Sequence, residues 1–217
     1  MAKKPLIQVA LDSLDFGQTL RLASLAAPYV DIIEIGTPCL KCNGLPLVKA
    51  MRALFPDKLL FVDLKTMDAG KYEVTPFYDA GADFVSVLGV ADLATIKGAI
   101  EAAKEHGKEV QIDLINVPNK SERAKEVVEL GAQIVGVHTG IDQQLAGQTP
   151  FADLQEIVGL GLGVKVSVAG GIKPETVESV VKAGADIMVV GGAITGADDP
   201  AAAAKKIRDL VEQAAAS

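Results

Sequence analysis

The sequence predicts a (β/α)8 barrel, and three observations carry that prediction. Short β-branched runs alternate with longer Ala-, Leu-, Glu- and Lys-rich stretches along the whole chain. There are eight such runs, and eight parallel β–α units close most naturally into a barrel. A short phrase also recurs ahead of strands: Ala80-Gly81-Ala82-Asp83, Leu130-Gly131-Ala132-Gln133 and Ala183-Gly184-Ala185-Asp186. In each, the glycine can take the left-handed conformation that ends a helix before the chain enters the sheet. The phrase returns about every two β–α units, as repeated architecture requires.

The strands follow in order. Leu6–Leu11 opens the series, and Asp31–Ile35, Leu59–Leu64 and Asp83–Val87 complete the first half. Glu109–Leu114, Ile134–His138, Val164–Val168 and Ile187–Val190 make up the second half. Each segment between them has helical periodicity and enough length for a crossover helix. An open doubly wound sheet is the alternative, but no G-x-G-x-x-G follows the first strand. Neither a Pro/Ser-rich linker nor a low-complexity segment interrupts the pattern. Residues 1–217 are therefore expected to form a single barrel domain.

Composition agrees and removes some function classes. Aromatic residues make up 4% of the chain and Trp is absent, so the core must be Val, Ile, Leu and Ala. That suits parallel strands covered by helices. A net charge of −7 argues against nucleic acid, whose backbone needs clustered Lys and Arg. It does not forbid a small anionic substrate, which backbone N–H groups can hold. No apolar stretch approaches a membrane span, and Met1-Ala2-Lys3-Lys4-Pro5 runs into a strand with no signal peptide. A cytoplasmic protein is expected. Cys39 and Cys42 are spaced C-x-x-C without a second ligand pair or a thioredoxin-like context, and read as two reduced thiols in a loop.

Barrel chemistry sits where strands run into the loops that follow them. Strand one ends at Asp12, strand two carries Glu34, strand five ends at Asp113 and strand six at His138. Asp63 and Lys65, two apart on strand three, share a face with Phe61 and are expected inside the barrel. Leu60, Val62 and Leu64 then pack on helices. A buried ion pair stabilises poorly once desolvation is counted, so Asp63 and Lys65 point to function. Glu34 and Asp63 place two carboxylates at one rim, hard oxygen ligands of the kind Mg2+ prefers. The plainer alternative is that Glu34 pairs with Lys65. His138 carries an imidazole, which can take and return a proton. The other histidine, His106, ends a helix at a solvated position. Gly170-Gly171 and Gly191-Gly192 follow strands seven and eight, the usual barrel location for a phosphate group.

Together these residues identify a family. Ala10–Asp12 (A-L-D), Ile33–Gly36 (I-E-I-G), Asp63–Asp68 (D-x-K-x-x-D), His138 and the glycine pairs resemble the orotidine 5'-monophosphate decarboxylase superfamily over the whole chain. D-x-K-x-x-D is the most specific element. Within the superfamily the sequence is similar to the branch of 3-keto-L-gulonate 6-phosphate decarboxylases and 3-hexulose-6-phosphate synthases. Four positions depart from the decarboxylase pattern: Asp113 stands for Glu, Ile141 for Arg, Ala169 for Thr, and Gly191-Gly192-Ala193 lacks the Arg that follows strand eight there. The run His138–Gln144, with Gly147 and Pro150, resembles the synthase pattern H-T-G-x-D-x-Q.

The resemblance implies aldol condensation of D-ribulose 5-phosphate with formaldehyde to D-arabino-hex-3-ulose 6-phosphate, and the reverse, through a 1,2-enediolate. It implies Mg2+ or Mn2+ on Glu34 and Asp63, proton abstraction by His138 and electrostatic support from Lys65. Asp12, Asp68 and Asp113 are expected to orient waters and substrate hydroxyls. It further implies a homodimer in which Asp68 reaches the partner's site. Two rival readings remain at this point. One is decarboxylation of 3-keto-L-gulonate 6-phosphate, and the other is a non-catalytic phosphosugar-binding protein that would need the glycine pairs alone. Phosphate-binding epimerase barrels share the glycines but not D-x-K-x-x-D.

Overall fold

The computed structural model describes residues 3–217 and is a closed barrel of parallel strands ordered β1 to β8, with β8 paired back onto β1. Among the described residues the strands are β1 Leu6–Leu11, β2 Ile32–Ile35, β3 Leu59–Thr66 and β4 Phe84–Leu88, then β5 Glu109–Asp113, β6 Ile134–His138, β7 Lys165–Ala169 and β8 Ile187–Val190. The crossover helices are α1 Phe16–Ala26, α2 Thr37–Leu54, α3 Gly70–Asp79, α4 Leu93–Glu105 and α5 Lys120–Glu129. After β6 come the short α6 Ile141–Leu145 and α7 Phe151–Gly159, and α8 Val177–Ala183 leads into β8. A one-turn α9 Gly192–Thr195 and the long α10 Pro200–Ala216 close the chain. Met1 and Ala2, where the reading of the N-terminus begins, lie outside the described residues. No described helix is long and apolar enough to cross a membrane.

Side-chain alternation divides the strands between two cores. Val9, Ile33, Val62, Val85, Ile112 and Val135 face outward and pack with the helices in the main apolar cluster. Ile32, Phe61, Phe84, Ile134, Ile187 and Val189 face inward and fill the barrel floor. Phe61 is thus inside while Leu60, Val62 and Leu64 pack outside, as the period-2 pattern of β3 predicts. The three recurring glycines do adopt left-handed backbone, with φ of 108° at Gly81, 103° at Gly131 and 86° at Gly184. A side chain at these positions would be strained, so the phrase repeats because the helix-to-strand turn repeats.

Strand ends fall at the predicted residues or one to two away, the largest change being at β3, which runs on to Thr66. Two expectations need correction. Cys39 and Cys42 lie on α2, not in a loop, because Thr37-Pro38 starts a helix directly after Gly36. Cys39 is buried, with its Sγ 3.3 Å from the Thr19 hydroxyl, and Cys42 is exposed. His106 does cap the end of α4, but it is not simply solvated. Its Nδ1 lies 2.7 Å from the Ala102 carbonyl, and its ring stacks on Tyr78 at 5.4 Å.

Candidate active site

The C-terminal mouth of the barrel opens into a cavity of about 930 Å3. Nearly every candidate residue lines it: Asp12 from β1, Glu34 from β2, Asp63 and Lys65 from β3, Asp113 from β5 and His138 from β6. Gly170, Gly171, Gly191 and Gly192 line the β7–β8 side. Asp68 is the exception. It is exposed on the loop after β3, outside this chain's cavity, with its carboxylate accepting the Ala69 N–H at 2.7 Å.

A break in register at β3 arranges the centre of the site. Val62 pairs with Val85 and Thr66 with Val87, so four steps along β3 match two along β4. The surplus is absorbed at Lys65, whose φ of 48° is rare for a residue bearing a Cβ and costs about 1–3 kcal/mol. Ser86 on β4 repairs the gap. Its hydroxyl accepts the Lys65 N–H at 2.9 Å and donates to Asp63 Oδ1 at 2.6 Å. Thr37, at the start of α2, donates to both the Asp63 carbonyl and Oδ2 at 2.8 Å. Asp63 is thereby held from β4 on one side and from the start of α2 on the other.

Lys65 bridges two carboxylates, with Nζ 2.6 Å from Asp63 Oδ2 and 3.3 Å from Asp113 Oδ2. Burial works to lower its pKa, but Asp63 and Asp113 outweigh burial and raise it, so the ammonium stays charged. Asp113 is 2% exposed. Burial alone would raise its pKa, yet the hydrogen bond and charge of His138, with Lys65 and the Ile115 N–H, hold it below the usual carboxylate value. Its Oδ2 lies 2.9 Å from His138 Nδ1. An ionised carboxylate only accepts, so Nδ1 carries a hydrogen, and in the neutral imidazole Nε2 keeps its lone pair.

The remaining carboxylates repel one another. Glu34 is 6% exposed, and among the described residues its one side-chain donor is Gln8 Nε2, at 2.7 Å from Oε2. Burial and then the charge of Asp63 push its pKa up to about 8, against the opposing pull of Gln8 and Lys65. Asp12 stands at the open edge of the cavity, and the loss of hydration there, then Asp63, raise its pKa too. The alternative Glu34–Lys65 ion pair does not form; Lys65 goes to Asp63 and Asp113 instead.

Among the described residues no three His, Cys, Asp or Glu side chains gather as a complete metal cage. Glu34 and Asp63 nonetheless fit a hard divalent cation. They are two oxygen donors on paired strands whose mutual repulsion a cation would relieve, beside a cavity with room for water and substrate oxygens. Mg2+ characteristically uses one or two protein carboxylates and takes its other ligands from water and substrate.

The glycine pairs differ in what makes them glycine. A Cβ at Gly170 would lie 2.3 Å from the Thr139 carbonyl, and its φ is 109°, so close packing on the β6 loop already excludes a side chain. At Gly192 a Cβ would meet nothing within 4 Å. Gly192 and Ala193 open α9, so their N–H groups have no partner within that helix, and both residues line the cavity.

Strand alternation also brings in residues that the sequence reading missed. Gln8, Gln111 and Ser167 point inward at the level of Phe61 and line the cavity floor. Gln8 Oε1, Gln111 Oε1 and Ser167 Oγ are buried without a hydrogen-bond partner among the described residues. Their signal was present: each is a polar residue at an inward position of an otherwise apolar strand.

A family model described as orotidine 5'-phosphate decarboxylase / HUMPS family matches residues 5–207. The chain belongs to this family. Among its relatives, a 3-hexulose-6-phosphate synthase of Methylomonas aminofaciens is 63% identical over 207 residues, covering 95% of this chain and 99% of that one. The crystal structure of the Salmonella typhimurium 3-hexulose-6-phosphate synthase matches with a TM-score of 0.93 at 42% identity, over 96% of this chain and 99% of that one. The KGPDC of Streptococcus mutans, crystallised in complex with D-R5P, matches with a TM-score of 0.91 at 29% identity, over 97% of this chain and 99% of that one. Family membership and barrel fold therefore stand as the sequence predicted.

Proposed function

We propose that residues 1–217 work as one barrel enzyme, an aldehyde-lyase that condenses D-ribulose 5-phosphate with formaldehyde to D-arabino-hex-3-ulose 6-phosphate and runs the reverse reaction. One observation carries this reading beyond family likeness. His138, with its tautomer set by Asp113, stands beside a permanently charged Lys65 in a cavity large enough for a pentose phosphate. Similarity to proteins named 3-hexulose-6-phosphate synthase at 63% and 49% identity supports the same choice.

The substrate's phosphate lies at the β7–β8 glycines and its ketone end at β2–β3. His138 Nε2 removes a C1 proton, and the C–H electron pair moves into the C1–C2 bond as charge gathers on the ketone oxygen. Lys65 stabilises that charge in a water-poor site. The C1–C2 π pair then attacks the formaldehyde carbon; a C–C bond forms, the C2 ketone is restored, the formaldehyde C=O π pair moves onto its oxygen, and His138 returns its proton there. Glu34 and Asp63 would hold Mg2+ or Mn2+, which when bound supplies positive charge to the ketone and its neighbouring hydroxyl. Asp12 orients water and hydroxyl groups at the same rim, and Asp113 keeps His138 aligned.

A homodimer completes the proposal. Asp68 is exposed and outside its own chain's cavity, and Met67 at 52% exposure and Tyr72 at 85% add apolar surface beside it. A dimer contact would cover that surface and deliver Asp68 to the partner's site. The cytoplasm, where thiols such as Cys39 and Cys42 stay reduced, is the proposed location.

The testing assay follows formaldehyde loss with purified protein and ribulose 5-phosphate, with Mg2+ and again with EDTA. Metal-dependent loss supports the aldolase reading and the carboxylate–metal assignment together. No loss in either arm, with CO2 released from 3-keto-L-gulonate 6-phosphate, would replace it with the decarboxylase reading.

A further inference from the structure

The cavity has a charge problem that the residues discussed so far do not solve. Four carboxylates line it, those of Asp12, Asp63, Asp113 and Asp142, with the protonated Glu34 carboxyl beside them, against the ammonium groups of Lys65 and Lys173. Lys65 is committed to Asp63 and Asp113 on the β3–β5 side. A sugar phosphate brings close to two further negative charges near neutral pH. Backbone N–H groups at the glycine pairs offer only partial charges, and Gly191-Gly192-Ala193 carries no cation.

Lys173 sits where a cation is missing. It follows Gly170-Gly171-Ile172 on the loop after β7 and lines the cavity on the glycine side. Its backbone is fixed. The Lys173 N–H donates to the Thr176 hydroxyl at 3.0 Å, and that hydroxyl donates back to the Lys173 carbonyl at 2.9 Å. Ile172 before it is buried at 5% exposure, anchoring the loop to the core. The ammonium itself makes no ion pair or side-chain hydrogen bond among the described residues, and Lys173 is exposed at the rim. A clamped backbone with an uncommitted charge at its end is a preorganised arrangement for an anion. Its flexible stem lets the ammonium approach a phosphate oxygen as a point charge.

We infer that Lys173 is the phosphate-binding cation of this site, pairing with the substrate's phosphate while the glycine N–H groups fix its position. The inference rests on the reading that the cavity takes a sugar phosphate. It also separates two roles: Lys65 acts at the reacting end, Lys173 at the anchoring end.

Wild type, Lys173→Gln and Lys173→Arg are compared by calorimetric titration with ribulose 5-phosphate and with inorganic phosphate, and by steady-state kinetics at several salt concentrations. Lys173→Gln should raise Kd and KM for ribulose 5-phosphate about five- to twentyfold, the effect of losing one charge-assisted contact at a partly solvated site. It should leave kcat within about twofold, since binding lost equally from ground and transition states moves KM alone. Its affinity should also depend less steeply on salt, and Lys173→Arg should recover most of the loss. A variant that matches wild type in Kd, KM and salt dependence overturns the inference, as does one that loses kcat at unchanged KM. If wild type itself fails to bind ribulose 5-phosphate, the reading of the cavity falls first, and that outcome is visible without any variant.

Discussion

Asp113 Oδ2 lies 2.9 Å from His138 Nδ1 and 3.3 Å from Lys65 Nζ, so one buried carboxylate fixes both the orientation of the base and the position of the cation. Against the effect of burial, His138 and Lys65 hold its pKa below the usual carboxylate value, so it stays ionised near neutral pH, with His138 Nδ1 donating to it and the Lys65 ammonium in ion-pair contact. The consequence is a base whose free nitrogen is chosen by the protein rather than by the solvent.

Asp113→Asn tests that consequence. An amide can present its N–H to Nδ1, which favours the wrong tautomer and leaves Nε2 protonated and unable to accept a proton. C1 proton exchange of ribulose 5-phosphate in D2O should fall by about 10²–10⁴-fold, the range seen when a base loses its orienting partner. Exchange within about threefold of wild type would show that Asp113 does not set the tautomer.

His138→Ala should abolish exchange altogether and leave the barrel intact, because His138 ends β6 at the cavity and contributes little to either core. The checks are NMR exchange and an unchanged thermal transition. Persistent exchange would move the base to another residue.

Glu34 gives a prediction in pH and metal together. Its folded pKa stands at about 8 against an ordinary 4.5, so the native carboxyl keeps a proton that the unfolded chain releases across that window. The native state binds more protons there, and stability must fall as pH rises from about 4.5 to about 8. Asp113 runs the opposite way, adding stability above the ordinary carboxylate range and losing it as pH falls through its depressed value. A cation on Glu34 and Asp63 displaces the proton. Mg2+ should therefore raise Tm more at pH 8 than at pH 5.5, and calorimetry in two buffers should detect proton release on binding. Glu34→Gln should flatten both responses. Equal Mg2+ effects at the two pH values would count against Glu34 as a ligand.

How far the sequence alone reached depends on what each feature rests on. Strand alternation is a local, period-2 property, and it placed Asp63, Lys65 and Phe61 inside and Val62 outside. The β3 register break was not legible, because it arises from pairing with β4 and from Ser86 taking the place of a ladder partner. Gln8, Gln111 and Ser167 are visible as polar residues at inward positions, but they sit inside the strands rather than at the strand ends where barrel chemistry is expected. Cys39 and Cys42 were misplaced because Gly36-Thr37-Pro38, which looks like a turn, is a helix start. Gly170 reads as a phosphate glycine from its place after β7, and the Thr139 carbonyl adds a packing reason for it that only the fold reveals.

That last point separates the two glycine pairs experimentally. Gly170→Ala forces a Cβ to 2.3 Å from the Thr139 carbonyl at a φ of 109°. Stability should drop by about 2 kcal/mol or more, read from denaturant unfolding. Gly192→Ala meets open space. It should unfold within about 0.5 kcal/mol of wild type but, on the proposed phosphate position, bind ribulose 5-phosphate less tightly, because the new methyl would crowd the phosphate oxygens. Equal stability losses at both positions would mean that neither glycine is kept for the ligand.

Asp68 offers the sharpest test of assembly, since its carboxylate caps its own loop at Ala69 and lies outside the cavity of its own chain. If it acts only within its own subunit, its loss and the loss of His138 damage the same site, and mixing the two variants restores nothing. If it acts across a dimer, the damage divides. A mixed dimer of Asp68→Ala and His138→Ala chains has one site lacking both residues. Its other site holds His138 from the first chain and Asp68 from the second. Co-expressed chains carrying different affinity tags allow the mixed dimer to be purified, and about half the wild-type rate per dimer should return when each parent homodimer is nearly inactive. A mixed dimer no more active than its parents would confine Asp68 to its own subunit. A monomer of full activity in light scattering would remove the assembly from the mechanism altogether.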